Sequence, residues 1–437
     1  MHYSRFTFSL LASISILSGT AQSAYVLADD YSGEAFFHSF EFFTDKDPTN
    51  GHVIYETLEK ANATSLAGFM DGGNATKAIY MGVDTTSEAP DGRGSVRVSS
   101  AKSYQHALVV ADIVHMPSVC GMSTTSISIP ASNLDQAHGQ RSGCWATTGL
   151  TMVSRSYSLQ ALTTNKPPGE IDIVEGVNNQ PSNQMTLHTS SGPRITKATK
   201  NDIFTGELVT EDCDVNAPNQ SKNAGCAIAD TSNLTFGNNF NINGGGAYAT
   251  EWTSSAIKIW FFPRGKFPSD IASASPSPSE NWGPPTSVFS GDFNMDDHFK
   301  NLKIVFDTTF CGDWAGNTWN TSECASLAPT CEEYVSNNPA AFTEAYWAVN
   351  TLQVFQDDGL GAGTVSGNET TAATAAASSS PGTLLNVHSG KFIQNAALAR
   401  LDFSGKDGRA AKGKWVRSPG GWEPRQRRGG AVLPSRT

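Results

Sequence analysis

A chain of 437 residues that is 38% apolar and only 16% charged, with 40 Gly, is not an ordinary disordered protein, which carries more charge and fewer aromatics. It is not a coiled coil either, which would be rich in Ala, Glu, Lys, Leu and Arg. Its 23 Phe, 10 Tyr and 9 Trp suffice for a large core with aromatics left over. The net charge of -11 is uneven: from Lys391 onward 11 Lys and Arg face 3 Asp and Glu, while the rest holds 19 basic and 38 acidic residues. An acidic body of this kind argues against nucleic acid as a partner.

Residues 1–23 read as a secretory signal peptide. Arg5 supplies the positive start, Phe6 to Leu17 an apolar stretch too short to span a bilayer, and Ala21-Gln22-Ser23 small residues for cleavage. No later stretch has the apolar length of a spanning helix, so a secreted chain without stable membrane insertion is expected. Asn-x-Ser/Thr acceptors at Asn62, Asn74, Asn219, Asn233, Asn320 and Asn368 agree with export. In an oxidising compartment the 7 Cys would form disulfides and leave one thiol over. No Cys-x-x-Cys pair marks a zinc site.

From 24 to 356 the pattern is of strands. Short β-branched and aromatic runs recur between Gly, Asn, Asp and Pro clusters, among them Ile79–Val83, Ser95–Ser99, Leu108–Ile113, Ile257–Phe262, Lys303–Phe306 and Leu352–Phe355. No regular helix alternates with them, which excludes a parallel α/β sheet and predicts an antiparallel sandwich. One short helix is expected after Asn338-Pro339, with Pro at its first position. Residues 357–382, dominated by Gly, Ser, Thr and Ala, read as a flexible linker. Residues 383–437 form a basic tail with few apolar anchors, expected to lack a core of its own.

The segment Gly169-Glu170-Ile171-Asp172-Ile173-Val174-Glu175-Gly176 stands out. Period 2 puts Glu170 and Asp172 on one face of a strand, and one β-bulge brings Glu175 to the same face while Ile171 and Ile173 point to the core. Clustered carboxylates repel one another. They fit glycoside hydrolysis, in which one attacks the anomeric carbon and another protonates the leaving oxygen. The same acids also fit a solvated strand edge or an oxygen-lined calcium site.

The segment and its surroundings resemble glycoside hydrolase family 16, closest to the fungal endo-1,3(4)-β-glucanases or laminarinase-like enzymes. The resemblance runs through Gly176–Gln180, Asn183–Thr189, Asp214–Gln220, Gly244–Trp252, Trp260–Gly265 and Phe310–Gly316. Upstream it includes Phe42-Phe43-Thr44, Asp47-Pro48-Thr49 and His115-Met116-Pro117, and it covers about 25–121 and 169–356. It implies a β-jelly-roll sandwich of two antiparallel sheets with a concave substrate cleft. It also implies a retaining endo-hydrolase of β-1,3 or mixed β-1,3/1,4-glucan, with Glu170 as nucleophile, Asp172 assisting and Glu175 as acid/base. His188, Trp252, Glu251 and Asn178 are expected to bind substrate; Trp260, among apolar neighbours, is expected to be buried. No cofactor and no metal are expected, the partner is β-glucan, and the chain is expected to be a monomer. A cell-wall transglycosylase with the same acids, or an inactive glucan-binding homologue, are the alternatives.

The family pattern breaks at 122–168. After Cys120-Gly121 comes Met122-Ser123-Thr124-Thr125-Ser126-Ile127 in place of an aromatic-rich strand beside the catalytic one. This segment reads either as an insertion that loops out or as a translated intron or shifted frame; the family's usual substrate-binding tryptophans are missing from it, with only Trp145 in the region. Pro193 and Phe293 stand where the family often has Cys, so one family disulfide is expected to be missing.

Overall fold

The structure is a computed structural model and describes residues 25–72, 77–124, 150–154, 169–195, 203–278, 280–357, 415–418 and 421–424. The expected signal peptide and linker lie outside the described residues, as do most of 122–168 and most of the tail. Within the tail, Trp415–Ser418 and Gly421–Pro424 pair as an antiparallel hairpin.

Two eight-stranded antiparallel sheets form the body, as the alternating runs predicted. The acidic sheet runs Glu207–Thr210, Cys226–Ala229, Gln184–His188, Glu170–Val174, Leu150–Ser154, Leu302–Asp307, Arg97–Ser100 and Phe40–Phe42. The companion sheet runs Ser287–Phe289, Ile257–Pro263, Gly246–Trp252, Ala107–His115, Trp347–Asp357, Lys77–Met81 and Ala67–Asp71, with Tyr25–Asp30 added beside Trp347–Asp357. Neighbours in each sheet are often far apart in sequence, as in a jelly roll.

The core lies between the sheets. From the acidic sheet it takes Ile171, Met185, Leu187, Ile228, Ile304 and Phe306; from the companion sheet it takes Val109, Ile113, Tyr248, Trp252, Ile259 and Val354. The alternate residues of the companion sheet are buried as well. Leu108, Val110, Ala247, Ala249, Trp260 and Phe262 pack on its far face beneath Trp282. Trp260 is thus buried as expected, its indole N–H donating to the Gly283 carbonyl at 3.1 Å. Burial on both faces explains the nearly unbroken apolar run of Ile257–Pro263.

The turn after Asn338 is a 3-10 helix, Pro339–Phe342, with Pro in its first turn. A second, smaller apolar cluster is cross-linked by Cys120–Cys324 and Cys311–Cys331, and Cys213–Cys226 closes a third bridge. The seventh cysteine, Cys144, lies outside the described residues.

Two short pieces of 122–168 join the sheets. Leu150–Ser154 lies in the middle of the acidic sheet, antiparallel to Glu170–Val174 on one side and to Leu302–Asp307 on the other. Met122–Thr124 pairs with both Gly176–Val177 and Thr309–Phe310. The physical reason is the ladder itself. A sheet with a gap at this position would leave two rows of backbone N–H and C=O groups without partners.

Candidate active site

Glu170–Val174 sits between Leu150–Ser154 and Gln184–His188. Toward Leu150–Ser154 the register slips by one residue: Asp172 faces Thr151 but Val174 faces Leu150. Ile173 is the extra residue of a β-bulge. Its consequence is visible in the packing, because Ile171, Ile173 and Val174 all belong to the core. Two successive core-facing residues reset the alternation, so Glu175 follows Glu170 and Asp172 onto the opposite face. The bulge expected from Glu-x-Asp-x-x-Glu is present.

Directly across the neighbouring strand, Glu170 pairs with His188 and Asp172 with Thr186. His188 Nε2 lies 3.1 Å from Asp172 Oδ2, and the Thr186 hydroxyl donates to Glu175 Oε2 at 3.2 Å. In sequence Thr186 is one residue of the Asn183–Thr189 motif; its strand register opposite Asp172 is the signal that singles it out. Behind His188, Gly225 has φ +58, and a Cβ there would sit 2.8 Å from His188 Nδ1 and 2.5 Å from the Leu187 carbonyl oxygen. A side chain at 225 would therefore push the imidazole out of place.

The acids are deeply set. Glu170 and Glu175 each keep 5% exposure and Asp172 none, so they are shielded from bulk water without being sealed from it. Burial is the first cause that pushes the Glu175 carboxyl well above its usual range. The neighbouring Asp172 and Glu170 push it further up, while His188 and the Thr186 hydrogen bond pull it back in part. The result is a carboxyl that gives up its proton less readily than a free glutamate, beside two other acids. Ligand atoms of Glu170, Asp172 and His188 fall within 4.8 Å of one another. Two oxygens and one imidazole nitrogen could in principle hold a cation, but the arrangement is equally that of an imidazole steadying a carboxylate pair.

The same face continues across the sheet. The ladder Asp172–Thr151–Val305–Ser99 puts Arg97 and Asp307, which pair directly, on the side of the acids. Burial raises the Asp307 carboxyl to about 7, Arg97 lowers it in part, and Asp47 raises it. The Arg97 guanidinium lies 4.8 Å from the Phe43 ring centre.

Three of the residues expected to bind substrate are placed elsewhere. Trp252 is on the companion sheet and only 1% exposed, its ring in the core and edge-on to His106. A ring closed between two sheets cannot stack on a sugar. Glu251 points to the far face of that sheet, where Tyr25 donates to it at 3.1 Å and Lys258 at 2.7 Å. Asn178 lies close to the acids in sequence, just beyond Gly176–Val177, with φ +51. Its amide is engaged by the protein: the oxygen accepts from Gly121 N at 3.0 Å and the nitrogen donates to Thr318 Oγ1 at 3.3 Å. It fastens a loop.

A jelly-roll sandwich with a buried Glu-x-Asp-x-x-Glu strand on one sheet has the form of a β-sandwich glycoside hydrolase. A family model described as an XgeA-like, catalytic GH16 domain matches residues 40–125 and 159–355. The chain belongs to glycoside hydrolase family 16. An endo-1,3(4)-beta-glucanase of Arthroderma benhamiae is 39% identical over 344 residues, 78% of this chain and 66% of that protein. A probable endo-1,3(4)-beta-glucanase of Aspergillus clavatus is 37% identical over 398 residues, 89% of this chain and 53% of that one. The chain thus spans between about half and two thirds of these relatives. Among solved structures, GH16 laminarinase 16A from Phanerochaete chrysosporium, with β-glucans in donor and acceptor sites, superposes with a TM-score of 0.63 at 34% identity. It covers 76% of this chain and 100% of that one. An elongating GH family 16 beta-1,3-glucosyltransferase superposes at 0.62 with 36% identity and the same coverage.

Proposed function

We propose that this chain is an endo-acting glycoside hydrolase that cleaves β-1,3 or mixed β-1,3/1,4-glucan with retention of configuration. The observation that carries the reading is the three-acid face made by the bulge, in which burial and the neighbouring Asp172 and Glu170 raise the Glu175 carboxyl. The relatives named as endo-1,3(4)-beta-glucanases supply the substrate class.

In this reading the Glu170 carboxylate attacks the anomeric carbon as Glu175 gives its proton to the departing glycosidic oxygen. Glycosyl-enzyme ester and free reducing-end fragment result. Esterification removes the Glu170 charge, so Glu175, now ionised, is no longer held up by it and takes a proton from water. That water displaces Glu170 from the sugar, and both acids return to their starting states. Asp172, paired with His188 Nε2, steadies the cluster between the two. Glu170 and Glu175 are expected about 5–5.5 Å apart when substrate is bound, the spacing of retaining enzymes. The partner is soluble or wall-bound β-glucan, and the chain acts as a secreted monomer. Among the described residues no helix is long and apolar enough to cross a membrane.

The test is incubation with laminarin and with mixed-linkage glucan, following reducing ends and, by proton NMR, the configuration of the first-formed product. Internal cleavage with a β-anomeric product is expected; an α-anomeric first product overturns the mechanism. The solved glucosyltransferase at 36% identity favours a second reading, in which a sugar hydroxyl replaces water in the second step. Oligosaccharides longer than the substrate would identify it.

A further inference from the structure

We propose that Asn183 is the positioning residue that holds the bulge in the acidic strand and so puts Glu175 beside Glu170; this rests on the hydrolase reading above.

A bulge leaves backbone groups that the ladder does not pair, and buried groups of this kind need partners from elsewhere. Asn183 supplies two of them with one side chain. Its Oδ1 accepts from Glu175 N at 2.8 Å, and its Nδ2 donates to the Ile173 carbonyl at 2.8 Å. The amide thus clasps the extra residue, Ile173, and the acid it redirects, Glu175. A carboxamide offers an acceptor oxygen and donor N–H groups in one rigid plane and does not titrate.

Asn183 is itself fixed on all sides. It is fully buried. Its backbone N–H donates to Thr235 Oγ1 at 3.0 Å, and its carbonyl accepts from Asp230 N at 2.8 Å. Thr235 in turn donates to the Ser232 carbonyl at 2.9 Å and accepts at its own carbonyl from Tyr248 on the companion sheet. The clasp is therefore tied to both sheets. If the clasp is removed, the strand is free to regain regular alternation, which turns Glu175 toward the core side and away from Glu170. Asn183 touches none of the reacting atoms, so it acts only through this geometry.

Three variants test the idea. Asn183→Ala is expected to lower kcat on laminarin by about a hundredfold, the scale of a misplaced reacting group, with little change in KM. Asn183→Asp discriminates geometry from stability. When protonated, its carboxyl accepts from Glu175 N and donates to the Ile173 carbonyl as the amide does; when ionised, it turns a lone pair on that carbonyl. Its activity relative to the parent is therefore expected to recover as pH falls, a recovery that Asn183→Ala lacks. Asn183→Ala with unaltered kcat, or Asn183→Asp with the parent's pH profile, overturns the proposal. Should the variants fail to fold, amide hydrogen exchange on the unmutated chain decides. The Glu175 N–H is expected to be as protected as the amides of the strand before it, and rapid exchange there overturns the clasp. If the unmutated chain cleaves no glucan, the hydrolase reading falls. The exchange measurement and the strand register in a crystal of Asn183→Ala then still decide on the clasp.

Discussion

Trp252 offers a sharp division between a residue that binds sugar and one that builds the core. Its ring is 1% exposed among Ile257, Ile259 and Val109, so Trp252→Ala removes a side chain of roughly 200 Å² from the interior. At about 25 cal/mol per Å² that is roughly 5 kcal/mol as an upper figure. Measured losses for Trp to Ala in cores are about 3–5 kcal/mol. Against a total stability of roughly 5–15 kcal/mol, the variant should be severely weakened. Trp252→Phe behaves differently. The indole N–H has no hydrogen-bond partner among the described residues, so its loss removes an unsatisfied buried donor and offsets part of the lost packing. A loss of only about 1–2 kcal/mol is expected. Urea titrations of the three chains measure these differences, and laminarin kinetics below the unfolding transition measure KM. The core placement predicts an unchanged KM in both variants. Parent-like stability with a raised KM in Trp252→Ala would return the ring to the cleft and refute the reasoning.

Further expectations follow from the site and its supports. Glu170→Gln should abolish turnover with the melting temperature nearly unchanged, while Glu175→Gln should lower kcat by about 10²–10⁴-fold on glucan and far less on aryl glycosides whose leaving groups need no proton. Because the Glu175 carboxyl is raised by burial and by its acidic neighbours and must be protonated for the first step, kcat/KM should fall as pH rises through its folded value; a rate still climbing in alkali would oppose the assignment. Asp307 is likewise raised, to about 7 from 3.8. A raised acid contributes stability below its unfolded value and loses it as pH rises through the folded one, here between about 4 and 7, on the order of 4 kcal/mol. Denaturant melts at pH 4 and 9 should show that loss, and Asp307→Asn should flatten it. Replacing both Cys120 and Cys324, which close a span of 204 residues, by Ser should cost about 2–5 kcal/mol, read as a lowered midpoint in calorimetry.

Much of this molecule is legible from local residue pattern. Runs of β-branched and aromatic residues at Leu108–Ile113 and Ile257–Phe262 mark strands, and those strands form where the runs occur. The acids at 170, 172 and 175 require a bulge to share a face, and the register slip at Ile173 supplies it. These properties are local: a side chain's direction within a strand depends on its neighbours in sequence and on pleating.

What lies on the other side of that face is not local. Trp252 and Glu251 occupy a strand as clear as any, yet period 2 says only that they point opposite ways. Packing decides that one direction is the core and the other a far face with Tyr25 and Lys258, so neither residue reaches the acids. Asn178 and Asn183 are the same residue type on either side of one turn. The first fastens a loop to Gly121, and the second meets the bulge. Leu150–Ser154 carries no family motif, but the strands on both sides of it present unpaired backbone edges that it satisfies. The sequence determined the strands, the acid pattern and the need for a bulge, because these depend on residue type and spacing along a short stretch of chain. The tertiary structure decided which residues surround the acids and which hold them, because those partners are brought together by sheet packing across long separations in the chain.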